Sequence, residues 1–199
     1  MAETITALLA ERRGHFEMES GYHSGSWFEL DALFDHPEAL HPFVAELARR
    51  LSPHRMDAVC GPMTGGAKLA EALATELGID AVVAERFETP GTTGLFPVTY
   101  RIPDAQRQKT RGRRIAIVDD AISAGSAVRG THADLIDCGA LPVALGALVV
   151  FGDAAAQFAA NYGLALEGIA RMPFDMWRPG DCPLCKAGVA LDEAAARSG

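Results

Sequence analysis

The chain has 199 residues, of which 49% are hydrophobic and 22% charged, enough apolar material for the core of one domain and a poor match to disorder. Its net charge of −8 argues against nucleic acid as a ligand, because duplex binding calls for a basic face. No apolar run reaches the roughly 18 residues of a membrane span, and the N-terminus lacks a signal-peptide layout, so a cytoplasmic protein without membrane contact is expected.

In chain order, residues 4–13 carry apolar side chains at helical spacing and predict a short helix. Extended pieces follow at 15–18 and 26–30, separated by the turn-rich Ser20-Gly21-Tyr22-His23-Ser24-Gly25. Residues 36–51 form an amphipathic pattern, with Leu40, Phe43, Val44, Leu47 and Leu51 on one face. A first core strand is predicted at 57–60, a helix at 67–77 stopped by Gly78, and a second strand at 79–84. Residues 87–113 show no strong periodicity and read as a long loop, the usual form of a lid. Within its 87–111 part the cations are Arg101, Arg107, Lys109 and Arg111. Strands at 114–118 and 142–151, helices at 127–138 and 154–162, and a last strand near 164–170 complete the pattern. Alternation of strands and helices implies a mainly parallel sheet of about five strands, flanked by helices on both faces.

The most informative segment runs from Arg114 through Asp119 and Asp120 to Ala127. A short apolar run ends in two carboxylates, which puts them at the carboxyl end of a buried strand, where α/β sheets bind ligands. The turn after them, Ala121-Ile122-Ser123-Ala124-Gly125-Ser126, offers backbone N–H groups and two hydroxyls at a helix N-terminus, suited to an anion. Acids beside a phosphate cradle point to a phosphorylated sugar. A second strand-to-helix turn, Gly61-Pro62-Met63-Thr64-Gly65-Gly66, has the glycines that let amides approach another anion. Arg86, just past the second strand, is a candidate to hold that anion bidentately.

Residues 115–127 resemble the signature of type I phosphoribosyltransferases, enzymes that use phosphoribosyl pyrophosphate. The resemblance implies that fold, a mainly parallel twisted sheet with helices around it and a small N-terminal hood over the base. It implies that Asp119 and Asp120 face the ribose hydroxyls and help position Mg²⁺ through water. It also implies that Ala121 to Ala127 wrap the 5′-phosphate, and that Gly61, Pro62, Met63, Thr64, Gly65 and Arg86 meet the pyrophosphate. A lid over 87–111 would bring cations across the site, often from a neighbouring subunit of a homodimer; Arg101, beside Tyr100, is the candidate catalytic cation. Gly14-His15-Phe16, Ser20 to Ser24, Phe28 and the tail from Cys182 to Val189 are similar to orotate phosphoribosyltransferases, extending the likeness over about residues 14–190. The base would then meet Ser20, Tyr22, His23 and Phe28. The organisation implied is a hood at 1–35, a core at 36–180 and a tail at 181–199, in one domain.

Three departures concern the base. Orotate is an anion, yet Glu19 stands where its enzymes carry a lysine, Gly152-Asp153 stand where an Asp-Arg pair is usual, and residues 89–97 lack the closely spaced lysines of the lid. The sequence therefore predicts phosphoribosyl transfer to a nitrogen of a base, with orotate as the nearest label and a poor substrate. His23 or Arg101 stands as the candidate substitute cation. The rival reading is a non-catalytic sensor of phosphoribosyl pyrophosphate or a nucleotide that acts through a partner protein. Cys60 and Cys138 read as reduced core thiols. Cys182-Pro183-Leu184-Cys185 has the spacing of half a zinc site; no second Cys pair exists, so a reduced turn is favoured unless a histidine or another subunit completes it.

Overall fold

A computed structural model of the chain describes residues 2–88 and 94–192. A six-stranded sheet forms the centre, in the order β5-β4-β3-β6-β7-β8. Its strands are β3 (Ala58–Pro62), β4 (Asp80–Glu88), β5 (Val98–Arg101), β6 (Arg114–Ile122), β7 (Leu141–Phe151) and β8 (Ala165–Met172). All pair in parallel except β5, which runs antiparallel to β4 at one edge. β6 lies between β3 and β7 and is apolar on both faces, as a strand covered twice must be. Ala116 and Val118 pack toward α2 (Pro37–Leu51) and α3 (Gly65–Leu77). Ile115 and Ile117 join the core on the other side, with α5 (Ser126–Asp137) and α6 (Ala154–Tyr162). The predicted face of α2 is buried as read, and Gly78 closes α3 at a φ of 67°. Cys60 and Cys138 are buried free thiols, and burial pushes the Cys60 thiol far up.

A smaller antiparallel sheet sits beside this core: β1 (Ala10–Glu17), β2 (His23–Glu29) and β9 (Met176–Trp177), in that order. The short helix α7 (Pro183–Lys186) follows β9.

Three expectations need correction. The first helix, α1, is only Ala2–Ala7, and residues 10–13, read as helix, are strand. Their side chains are exposed, so no apolar periodicity marks the strand; pairing with β2 creates it. The sheet has six strands rather than about five, because residues 98–101 add to β4. For the same reason the lid at 87–111 is not one loop. Residues 98–101 are strand and 104–110 form α4 (Asp104–Thr110), with 94–97 outside both; residues 89–93 lie outside the described residues. Arg107 on α4 is tied to Asp134 of α5 at 2.8 Å, a structural pairing away from the acids at 119 and 120.

Candidate active site

Both acids of β6 line one cleft at the carboxyl end of the parallel strands. Asp119 is only 8% exposed. Burial, and then the neighbouring Asp120 carboxylate, hold its carboxyl well above the usual range; burial raises Asp120 as well. Asp119 Oδ1 accepts from the Asp120 N–H at 3.1 Å, and Asp120 Oδ1 accepts from the Ala121 N–H at 2.8 Å. The strand runs on to Ile122, so the tight turn is Ser123-Ala124-Gly125 and the helix begins at Ser126. Gly125 permits the turn with a φ of 78°, a region L side chains avoid. Ala121, Ile122, Ser123, Gly125, Ser126 and Ala127 line the cleft, while Ala124 is buried behind it.

The second turn faces the first. Pro62, Met63, Thr64 and Gly65 line the same cleft. Gly61 stands behind them at the end of β3, packed on the backbone of Gly66. A side chain at Gly65 would collide with the Asp120 carboxylate, and one at Gly66 would lie 2.7 Å from Asp119 Oδ1. These glycines therefore let the turn close onto both acids. The peptide between Met63 and Thr64 is cis.

Arg86 lines the cleft from β4, but its guanidinium is engaged. Its Nε donates to Glu19 at 3.1 Å, and Nη1 lies 2.7 Å from Glu88. Glu19 also accepts from the Tyr100 hydroxyl and from Ser126 Oγ, each at 2.8 Å. Burial, with Glu19 alongside, raises the Tyr100 phenol far above its ordinary value. The sequence marked Glu19 as a departure and did not reveal that it joins three elements of the site.

Of the hood residues, Ser20 and Phe28 line the cleft. Ser20 Oγ is buried without a hydrogen-bond partner among the described residues. Phe28 stacks on Phe151 at 4.8 Å between ring centroids, and Phe174 packs on both. Tyr22 and His23 are not brought there. Tyr22 packs against Phe96. His23, which the sequence reading offered as a base contact or substitute cation, faces His15 and Cys185 instead. Arg101 is also turned away: on β5 Tyr100 is buried and Arg101 exposed, its guanidinium over the Phe87 ring. Among the described residues lining the cleft, Arg86 is the one cationic side chain, against the acids Glu19, Glu29, Asp31, Asp119 and Asp120.

Two facing strand-to-helix turns and an acid pair at the carboxyl ends of parallel strands have the layout of an α/β protein that takes its ligand at that edge of the sheet. The phosphoribosyl transferase domain family matches residues 30–169, more than half of the chain, and the chain belongs to that family. An orotate phosphoribosyltransferase of Caldanaerobacter subterraneus subsp. tengcongensis is 27% identical over 197 residues, 98% of this chain and 95% of that protein. The orotate phosphoribosyltransferase of Thermotoga maritima is 28% identical over 195 residues, 98% of this chain and 97% of that protein. Among solved structures, the adenine phosphoribosyltransferase of Thermoanaerobacter pseudethanolicus superposes with a TM-score of 0.68 at 15% identity, over 86% of this chain and all of that one. Phosphoribosyl transfer is the general activity this domain carries. No helix among the described residues is long and apolar enough to cross a membrane.

Proposed function

We propose that the chain moves the 5-phosphoribosyl group of phosphoribosyl pyrophosphate onto a ring nitrogen of a base that carries no carboxylate, releasing pyrophosphate. One observation carries this reading: an acid pair, two glycine-bearing strand-to-helix turns and an aromatic wall share a single cleft. The turn at 123–126 suits the 5′-phosphate through its N–H groups and the Ser123 and Ser126 hydroxyls. Asp119 and Asp120 suit the ribose hydroxyls, and residues 62–65 with Arg86 suit the pyrophosphate.

Substitution at the anomeric carbon passes through a cation-like state, as in glycoside hydrolysis, and needs no protein nucleophile. The protein's part is to hold ribose and base in line and to neutralise the leaving pyrophosphate. The two carboxylates are hard oxygen donors beside a phosphate cradle, the setting Mg²⁺ favours. When bound there, Mg²⁺ supplies charge neutralisation to the pyrophosphate. Asp119 and Asp120 would hold it, and their charge also favours the developing cation.

The base is proposed to lie against Phe28, Phe151 and Phe174, within reach of Ser20 Oγ. The nearby acids, Glu19, Glu29 and Asp31, favour a ring that presents N–H donors and oppose a carboxylate. Among the described residues lining the cleft Arg86 is the one cation, and it is already shared between Glu19 and Glu88. Pyrophosphate release with a panel of bases tests this: orotate, uracil, adenine, guanine, hypoxanthine and xanthine, each with phosphoribosyl pyrophosphate and Mg²⁺. At least one neutral base should turn over, with orotate weaker by roughly two powers of ten or more, the cost of missing charge-assisted contacts. An orotate kcat/KM above about 10⁴ M⁻¹s⁻¹ would overturn the choice of base. Turnover of none, with phosphoribosyl pyrophosphate still bound, would favour a sensor.

A further inference from the structure

His15, His23, Cys182 and Cys185 converge although about 160 positions separate the histidines from the cysteines. Their ligand atoms all lie within 4.8 Å of one another. His15 Nε2 is 3.0 Å from His23 Nδ1, 3.4 Å from Cys182 Sγ and 3.6 Å from Cys185 Sγ, and Cys185 Sγ is 3.2 Å from His23 Nδ1. A tetrahedral centre with Zn–N near 2.0–2.1 Å and Zn–S near 2.3 Å separates its ligand atoms by about 3.3–3.8 Å. We infer that these four side chains form a Cys₂His₂ site for a structural Zn²⁺, in a part of the molecule separate from the phosphoribosyl cleft.

The supporting contacts match what such a centre needs. Val189 O lies 2.7 Å from His15 Nδ1, so that nitrogen donates and Nε2 keeps its lone pair toward the thiols. The Cys185 N–H donates to Cys182 Sγ at 3.5 Å, a contact that steadies a thiolate. A bulge in β1 delivers His15: three steps from Arg13 to Phe16 face two from Ser26 to Ser24, so an extra residue turns the strand. His15, His23 and Cys182 are buried and Cys185 is at the surface, leaving one side open for metal entry. Two thiolates and two neutral imidazoles balance the charge of Zn²⁺. The centre fastens β1 and β2 to the segment at 182–189, and β2 carries Trp27, Phe28 and Glu29 to the cleft.

The test is metal content of the full chain, expressed with added zinc and purified under reducing conditions. The wild type should hold about one Zn²⁺ per chain, as one Cys₂His₂ site requires, and Cys182→Ser and Cys185→Ser should lose it. His23→Cys should retain it, since a Cys₃His set also binds zinc, which guards against loss through misfolding alone. After chelation, Co²⁺ added to the wild type should give intense visible bands and a thiolate charge-transfer band. Wild type holding no more zinc than Cys182→Ser, or zinc that survives both cysteine substitutions, would overturn the site. A Cys182–Cys185 disulfide that persists in reductant, or a Co²⁺ spectrum without thiolate character, would do so too.

Discussion

The Glu19 carboxylate and the Tyr100 hydroxyl meet at 2.8 Å in the middle of the cleft, with Ser126 and Arg86 gathered around the same carboxylate. Glu19 thereby occupies donors proposed for two phosphate groups of the substrate. A polyanion entering the cleft must take Arg86 and Ser126 from it and tolerate its charge. Glu19→Gln keeps the shape and removes the charge. Calorimetry with phosphoribosyl pyrophosphate and Mg²⁺ should show affinity raised about 5- to 30-fold, the equivalent of roughly 1–2 kcal/mol. Unchanged or weaker binding would mean that Glu19 supports the ligand instead of competing with it.

Asp119 should cost the free protein stability. Its folded carboxyl titrates above the unfolded value, so the folded state binds the extra proton between the two, and stability falls as pH rises through the folded pKa. Asp119→Asn removes the buried charge, so the variant should be more stable than wild type at neutral pH. Thermal unfolding should show a larger gain at pH 8 than at pH 4. A variant less stable than wild type at pH 8 would contradict the assignment.

Phe28 should act on binding of the base more than on the chemical step. It stacks on Phe151 with 23° between the ring planes and faces the cleft. Loss of one stacking surface costs about 1–3 kcal/mol, so Phe28→Ala should raise KM for the base roughly 5- to 150-fold and change kcat little. A fall in kcat at unchanged KM would place the base elsewhere.

Arg101 lies outside its own cleft, so a catalytic role for it would require a second copy of the chain, as in the proposed homodimer. Arg101→Ala and the double variant Asp119→Asn, Asp120→Asn should each be nearly inactive alone. Mixed and reassembled, they should recover activity, because one cleft of the mixed dimer has intact acids and an intact Arg101 from its partner. No recovery would rule out the shared site.

What could be read from the sequence was local. The strand that carries Asp119 and Asp120, the turn after it and the glycine-bearing turn at 61–66 are local signals, and residues of all three line one cleft. What escaped depends on pairing across the chain. Residues 10–13 become strand only beside β2, and Val98–Arg101 only beside β4. Strand alternation then turns Arg101 outward and Tyr100 inward, which spacing without a register could not decide. His23 looked like a base contact because it sits in the motif with Ser20 and Tyr22, yet Cys185 and His15 claim it from opposite ends of the chain. Glu19 stood out as a departure, but its three partners come from β4, β5 and α5.

The acid pair of β6 is proposed to grip phosphoribosyl pyrophosphate. Isothermal titration of that compound with Mg²⁺ into the wild type and into Asp119→Asn, Asp120→Asn measures it directly. Each lost contact to a charged group is worth about 1.5–3 kcal/mol, so the double variant should bind roughly two to four powers of ten more weakly while unfolding at a Tm no lower than wild type. Equal affinity in the two proteins would mean that the acid pair does not hold the ligand.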